Sequence, residues 1–212
     1  MNMLYIALII LLIALPIGVW LGWRLVSQRR SLPCPTSLAG LLDNPFTAGY
    51  HARVVSRLEL SPGLHVLDAG CGPGLLSTAI ASAVAPHGRV LALDIQPGMI
   101  AKARARAMEA EISNIDFLVA RLGDGQLLAM QFDRALLVTV LGEIPDKIAA
   151  LREVRTSLRP GGFLSITEVL PDPHYQSIRK ITVLAEAAGL RLRNKYGNAF
   201  MFTVNLERAL GA

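Results

Sequence analysis

The sequence predicts an α/β protein in which one transmembrane helix precedes a doubly wound, mostly parallel sheet that ends in a C-terminal antiparallel hairpin. Three observations support this expectation. Runs rich in Val, Ile and Leu alternate with segments of helical periodicity from residue 46 onward. Two strand-like segments follow each other at the C-terminus, and a long uncharged apolar run opens the chain. The 212 residues therefore suit one ordinary domain behind an N-terminal appendage.

Five short segments are apolar on both faces, which is typical of buried parallel strands. Segments with apolar residues at helical spacing lie between most of them, which predicts helices on both faces of the sheet. The predicted strands cover 64–70, 89–95, 114–120, 132–141 and 161–169, and the predicted helices cover 74–85, 98–111 and 147–158.

The C-terminal part departs from this alternation. After a helix-like segment at 177–189, two strand patterns at 190–197 and 198–209 meet at a tight turn around Gly197 and Asn198. Strands joined so closely pair most easily in the antiparallel sense. The sheet is therefore expected to end in one antiparallel hairpin.

Residues 1–30 predict a membrane anchor with a basic flank. Positions 3–23 carry no charge and extend about 31 Å as a helix, which matches the hydrocarbon core of a bilayer. Tyr5 lies near one end, and Trp20 and Trp23 lie near the other, where amphipathic rings favour the interfaces. A cleaved signal peptide is the competing interpretation, but no basic segment precedes the run.

Three arginines follow the apolar run at positions 24, 29 and 30, and basic flanks stay on the cytoplasmic side. We therefore expect a single-pass membrane protein whose main domain, residues 46–212, faces the cytoplasm. Residues 31–45 form a proline-containing juxtamembrane linker. Its residues Leu38, Leu41 and Leu42 are hypothesised to gate entry to the domain from the bilayer.

Composition excludes several other classes of protein. The net charge of +5 is scattered over segments that also contain Glu, so no nucleic-acid partner is expected. The two cysteines, Cys34 and Cys71, do not suggest a disulfide framework. The four histidines are isolated, so no metal site is expected either.

The stretch VLDAGCGPG at 66–74 is the strongest chemical signal. A strand ends near Asp68, and Gly70, Gly72 and Gly74 let the following backbone turn sharply and approach a ligand at a helix N-terminus. The dinucleotide fingerprint is G-x-G-x-x-G, whereas this loop is G-x-G-x-G. Asp94, at the end of the second predicted strand, is placed to accept bonds from ribose hydroxyls or, alternatively, to cap the next helix.

The chain resembles the class I S-adenosylmethionine-dependent methyltransferases, including those that act on ubiquinone and menaquinone precursors and on phospholipids. Four segments match successive motifs of that family: VLDAGCGPG, VLALDIQPGMI, FDRALLVTVLGEIPD and LREVRTSLRPGGFL. The resemblance covers roughly residues 58–206. It implies a seven-stranded Rossmann-like sheet and S-adenosylmethionine as the cofactor.

The resemblance also implies where the cofactor binds. The glycine loop would surround its methionyl part, Asp94 would hold its ribose, and Asp124 would lie at the amino edge of adenine, unless Asp124 only makes a turn. Tyr50 and His51, in the helix before the first strand, would cover the cofactor as a lid. The implied cofactor-binding residues are Asp68, Gly70, Cys71, Gly72, Gly74, Asp94, Ile95, Met99, Asp124 and Thr139.

Methyl transfer requires a proton acceptor when the methylated group is a phenol, an enol or a protonated amine. The candidates just beyond the fourth and fifth predicted strands are Glu143, His174 and Tyr175, with Glu168 nearby. Glu143 would either point into the pocket or cap the helix that starts near Pro145. His174 and Tyr175 would be either catalytic or ordinary surface-loop residues.

These inferences predict a membrane-anchored methyltransferase that acts on a small, lipophilic acceptor, either a quinone precursor or a lipid head group. The expected partners are the bilayer and that acceptor, with a membrane protein complex as a further candidate. One alternative is an assembly or scaffold protein that keeps the fold, with a protein acceptor or no activity. A nicotinamide-dependent oxidoreductase is a further alternative, which the glycine spacing disfavours.

Overall fold

The computed structural model describes residues 3–30, 33–37, 40, 45–170 and 172–208. The predicted gate residues Leu38, Leu41 and Leu42 lie outside these described residues. The helices are α1 (Met3–Arg30), α2 (Pro45–Ser56), α3 (Leu75–Val84), α4 (Pro97–Glu109), α5 (Lys147–Ser157) and α6 (Ile178–Ala187). The strands are β1 (His65–Ala69), β2 (Arg89–Asp94), β3 (Ile115–Val119), β4 (Phe132–Val138), β5 (Leu158–Val169), β6 (Leu190–Gly197) and β7 (Met201–Arg208).

Within the described part of the chain, seven strands form one sheet in the order β3-β2-β1-β4-β5-β7-β6. The first five pair in parallel, whereas β7 runs antiparallel to both β5 and β6. The predicted fold class, including the C-terminal hairpin, is confirmed. The strand order reverses at β1, which lies between β2 and β4, and such a switch point opens a crevice at the carboxyl ends of the strands.

Apolar clusters cover both faces of this sheet. Alternate residues of β1 point to opposite faces, so that Val66 packs in the cluster that contains Ile80 of α3, while Leu67 packs in the cluster that contains Leu151 of α5 and Ile181 of α6. All five side chains are fully buried. This burial explains why the strand segments are apolar at consecutive positions.

Two predicted boundaries are wrong. β4 ends at Val138, and the chain then enters a 3-10 turn at Leu141–Glu143. β5 begins at Leu158, three residues before the predicted strand at 161–169, so the whole of LRPGGFL lies in a strand. The register with β4 shifts there, and Gly161 adopts a φ of +80°. β5 is therefore bulged at this point, and Gly161 supplies the left-handed backbone that the bulge requires.

Helix α1 projects from the domain. Its apolar part, Tyr5–Val26, has a mean hydropathy of 2.5 and is not buried against the rest of the described chain. By length and composition it can cross a membrane. A signal sequence near an N-terminus meets the same criterion, so the membrane anchor remains a prediction.

Candidate functional site

A cavity of about 850 Å³ lies at the carboxyl ends of β1, β2, β4 and β5. This volume is within the range of pockets that bind cofactors and small molecules. The structure brings together eight of the predicted cofactor-binding residues along its lining: Asp68, Gly70, Cys71, Gly72, Asp94, Ile95, Met99 and Thr139. Gly74 and Asp124 do not line it.

The glycine loop, residues 70–74, is held against the end of β2. The N–H groups of Gly70 and Cys71 both donate to the Leu93 carbonyl, at 2.7 and 3.0 Å. Gly70 has a φ of +77°, and a Cβ there would overlap the side chain of Val140. At Gly72, with a φ of +52°, no described atom lies within 4 Å of a Cβ. Gly72 is therefore where the backbone lies open to a ligand.

Gly74 has a different role from the one implied by the resemblance. A Cβ at this position would lie 2.8 Å from the Cβ of Ala103 in α4. Its φ of +82° also places it in the left-handed region at the N-terminus of α3. Gly74 thus allows α3 and α4 to pack closely. It belongs to the glycine loop but does not line the cavity.

Asp94 is well placed to accept hydrogen bonds from a ligand. Its Oδ2 accepts from the Gly72 N–H at 3.0 Å, and its Oδ1 accepts from the Gln96 N–H at 2.8 Å. Each oxygen keeps a further acceptor position for a hydroxyl. Burial raises the pKa of this carboxyl, while the hydrogen bonds act in the opposite direction. Gln96, and not Asp94, occupies the N-cap position of α4.

Asp68 fixes the end of β1 to α3. It is 3% exposed, and the Ser77 hydroxyl donates to its Oδ2 at 2.6 Å. Burial raises the pKa of Asp68 to about 6, although the bond from Ser77 counteracts this shift. Asp68 therefore combines a structural hydrogen bond with a position on the cavity lining.

Thr139 follows β4 with a φ of +56°, which is rare for a β-branched residue. Two hydrogen bonds hold it there, from its N–H to the Thr167 carbonyl at 2.9 Å and from its hydroxyl to the Val138 carbonyl at 2.7 Å. Such strain often occurs at functional sites. Here it redirects the chain into the 3-10 turn that carries Glu143.

Glu143 lines the cavity. It does not cap α5, because Asp146 fills that role by accepting from the Ala149 N–H at 2.9 Å. Burial raises the pKa of Glu143 to about 8, with a further increase from Asp172, while a hydrogen bond from the backbone N–H of Cys34 lowers it. Of the two roles predicted for Glu143, the structure therefore supports the one in the pocket.

Glu168 and Asp172 lie near Glu143, and we call these three residues the carboxyl cluster. Asp172 lines the cavity, and burial raises its pKa to about 6. Glu168 is 1% exposed and accepts from the Gln176 N–H at 3.2 Å. Its Oε1 has no hydrogen-bond partner in the described structure, and burial raises its pKa to about 8. Burial therefore favours the protonated form of both glutamates.

His174 and Tyr175 do not line the cavity. His174 is 4% exposed, so the surface-loop alternative is wrong for it. Its Nδ1 lies 3.7 Å from Oε1 of Glu143, which is too long for a hydrogen bond, and burial lowers its pKa. The Tyr175 hydroxyl donates to the Ala199 carbonyl at 2.8 Å. His174 therefore lies beside Glu143 without a hydrogen bond to it, and Tyr175 is bonded to the β6–β7 turn.

Asp124 is on an exposed turn, where its Oδ2 lies 3.9 Å from Nε of Arg121. The turn-forming role is the one that the structure supports. Arg121 lines the cavity instead, with its neighbours Ala120 and Leu122. The Ala120 N–H donates to the Asp94 carbonyl at 3.1 Å, which brings this segment to the end of β2.

Sequence reasoning missed part of the cavity wall that comes from the linker. Pro33 and Cys34 line the cavity, and the side chain of Gln96 donates to the Cys34 carbonyl at 2.8 Å. Lys102 donates to the Thr36 carbonyl at 2.8 Å. No local motif marks such contacts, because they join distant parts of the chain.

Tyr50 and His51 line the cavity, in the region expected for a lid. The Tyr50 hydroxyl is buried and finds no hydrogen-bond partner among the residues that the structure describes. Burial raises its pKa, with an added contribution from Glu168. A ligand in the cavity can supply the missing partner, since a buried polar group is stabilised by a hydrogen bond.

Comparison with known proteins identifies the family. Residues 60–194 match the family described as a methyltransferase domain. The chain belongs to this family. A ubiquinone biosynthesis O-methyltransferase from Xanthomonas campestris is 35% identical over 133 residues, which cover 61% of this chain and 52% of that protein. A demethylmenaquinone methyltransferase from Lactococcus lactis is 31% identical over 118 residues, which cover 53% and 45%. The methyltransferase domain therefore spans about half the length of these relatives.

A solved structure supports the same fold. A SAM dependent methyltransferase from Aquifex aeolicus superposes with a TM-score of 0.75 at 21% identity, covering 82% of this chain and 98% of that one. The expected family and the expected cofactor, S-adenosylmethionine, are confirmed.

The residues present also suit S-adenosylmethionine. The cavity is large enough, its backbone lies open at Gly72, Asp94 keeps two acceptor positions, and the Tyr50 hydroxyl is unsatisfied within the described structure. In the same described residues, no group of three or more His, Cys, Asp or Glu side chains is arranged to hold a metal ion.

Proposed function

We propose that this methyltransferase domain, anchored in a membrane by α1, transfers the methyl group of S-adenosylmethionine to a lipophilic acceptor that carries a hydroxyl or amine. One observation carries the proposal: a single cavity contains both the glycine loop with Asp94 and the carboxyl group of Glu143. Cofactor and acceptor would thus meet in one enclosed space, as an in-line displacement requires.

The class of acceptor follows from the relatives and from α1. Two relatives are named for ubiquinone biosynthesis and for demethylmenaquinone, which suggests a quinone precursor here. An enzyme held at a bilayer gains effective concentration toward an acceptor dissolved in that bilayer. An acceptor with a transferable proton suits Glu143, whereas an anionic group would be repelled by the carboxylate of Asp172.

S-adenosylmethionine, when bound, would supply an electrophilic methyl group, whose bond to the sulfonium sulfur breaks in the transfer and leaves a neutral thioether. Asp94 and Gly72 would hold it, and Glu143 would accept the proton that the hydroxyl loses as its oxygen forms the new bond to carbon. A carboxyl with a pKa of about 8 is a stronger base than an ordinary glutamate, so it is better matched to a phenol. His174 would position Glu143 without touching the acceptor.

Calorimetric titration of the full chain in lipid nanodiscs tests the first part of the proposal. The intact protein should bind S-adenosylmethionine, with NADH as the negative control. Asp94→Ala should lose at least about tenfold in affinity, because it removes the carboxylate proposed to hold the ribose. The same carboxylate also fixes the N–H groups of Gly72 and Gln96. Arg89 and Asp116 form an exposed ion pair elsewhere on β2 and β3, so Asp116→Asn is a matched control that should bind normally.

Transfer of a radiolabelled methyl group tests the second part. Nanodiscs would contain either a prenylated catechol or phosphatidylethanolamine, and a water-soluble catechol would be the comparison. Preferred labelling of the prenylated catechol supports the proposed acceptor. Binding without transfer to any of them would overturn it, and the absence of cofactor binding would favour a scaffold that has lost the activity.

A further inference from the structure

The geometry points to a defined orientation at the membrane: the mouth of the cavity faces the head-group layer of the bilayer that α1 spans, and the β6–β7 turn with Phe200 contacts that layer. This inference rests on the proposed membrane anchor, and it adds which face of the domain meets the lipid. It implies that the acceptor enters the cavity without leaving the membrane surface.

The C-terminal part of α1 contacts the rim of the cavity. The guanidinium of Arg24 lies 5.2 Å from the Trp20 ring and 6.0 Å from the Tyr175 ring. Its positive charge also lowers the pKa of Asp172, which lines the cavity together with Pro173. The segment that connects β5 to α6 is thus in contact with the end of the apolar helix.

The depth of this contact follows from bilayer dimensions. The uncharged residues 3–23 extend about 31 Å, which matches a hydrocarbon core of about 30 Å, and Arg24 is the next residue. Arg24 therefore lies in the adjoining polar layer, which is about 5–7 Å thick on each side. Because the Tyr175 ring lies 6.0 Å from Arg24, it occupies the head-group layer or its boundary.

The β6–β7 turn lies at the same level. The Tyr175 hydroxyl donates to the Ala199 carbonyl, and the Leu170 N–H donates to the Phe200 carbonyl at 2.7 Å. These bonds fix the turn beside the rim, yet the side chain of Phe200 is 68% exposed. A large apolar ring held at this depth is suited to insertion among lipid head groups.

The charge near the rim favours the same partner. Arg179 and Lys180 are exposed in the first turn of α6, a few residues after Tyr175. With Arg24 they place three cations around the segment that borders the cavity. Basic residues next to a membrane helix are attracted to the anionic lipids of the cytoplasmic leaflet.

Fluorescence of introduced tryptophans tests the orientation with a matched control. Phe200 and Leu128 are both 68% exposed. Leu128, however, precedes β4 and is therefore nearer the amino ends of the parallel strands, away from the cavity mouth. Phe200→Trp and Leu128→Trp would be reconstituted as full chains in vesicles of phosphatidylcholine and phosphatidylglycerol, with and without bromine on the upper acyl carbons. The native Trp20 and Trp23 report whether α1 is inserted.

We expect the signal added by Phe200→Trp to be blue-shifted and quenched by brominated lipid, and the signal added by Leu128→Trp to respond only to aqueous iodide. If both added signals respond to iodide alone while the native tryptophans are quenched by bromine, α1 is inserted in the membrane but the proposed orientation is wrong. If the native tryptophans escape quenching as well, both the anchor and the orientation are overturned.

Discussion

The glycine loop and the carboxyl cluster, through its members Glu143 and Asp172, contribute to the lining of one cavity but are held in different ways. The loop is tied to β2, the next strand in the chain, through the Leu93 carbonyl and the Asp94 carboxylate. The carboxyl cluster gathers residues from the ends of β4 and β5 and meets the linker at Cys34. The loop has its backbone bonds satisfied, whereas Glu168 keeps an acceptor without a partner within the described structure. If the proposed function is correct, cofactor binding depends on local backbone shape and acceptor chemistry depends on long-range packing.

The largest expected difference between the two regions is in turnover. Glu143→Gln removes the proton acceptor, so kcat/KM for a hydroxyl acceptor should fall by about 10²- to 10⁴-fold while S-adenosylmethionine still binds. In the intact protein, kcat/KM should rise with pH and level off above about 8, where Glu143 is ionised. Steady-state rates across pH, with calorimetry of both proteins, measure this. A variant with an unchanged profile would exclude Glu143 as the base.

Two glycine substitutions separate packing from ligand access in the loop. Gly70→Ala forces a Cβ onto Val140 at a positive φ and should destabilise folding by about 2–5 kcal/mol. Gly72→Ala meets no described atom, so it should cost about 1–2 kcal/mol of backbone strain and mainly weaken S-adenosylmethionine binding. Chemical denaturation and calorimetry would show both effects. Equal losses of stability would contradict the distinction.

The carboxyl cluster should make the folded state less stable at higher pH. Glu168 has a pKa of about 8 in the folded protein against an ordinary value of 4.5. As pH rises from 4.5 to about 8, the unfolded chain loses this proton first, so stability falls over that window. Glu168→Gln stays neutral and should reduce the fall in Tm as pH rises. The exposed-site control Asp116→Asn should show the same fall in Tm as the intact protein. A parallel decline in all three proteins would refute the role of Glu168.

The contact between the linker and the cofactor wall should have the smallest effect. Gln96→Met removes the hydrogen bond to the Cys34 carbonyl and should weaken S-adenosylmethionine binding about 2- to 10-fold. Lys102→Met removes the neighbouring bond to the Thr36 carbonyl, outside the cavity, and is the matched control with little effect on binding. Similar losses in the two variants would indicate that the linker acts only as a general tether.

The difference between these regions also explains what the sequence could predict. Strand positions, the hairpin and the glycine loop follow from local periodicity and from residues a few positions apart, and the structure contains them. The bulge in β5 was not foreseen, because the pairing of β4 with β5 determines it. Likewise, only the folded chain shows that His174 is buried behind Glu143.

The contribution of Pro33 and Cys34 to the cavity wall has a consequence for the order of assembly. These residues follow α1 and precede every strand, so the ribosome makes them before the sheet exists. If α1 enters the bilayer during synthesis, this piece of wall is already fixed at the membrane surface when the sheet folds. The cavity is then completed at the membrane surface, beside Pro33 and Cys34. A domain that folded without contact with these two residues would lack one side of the cavity.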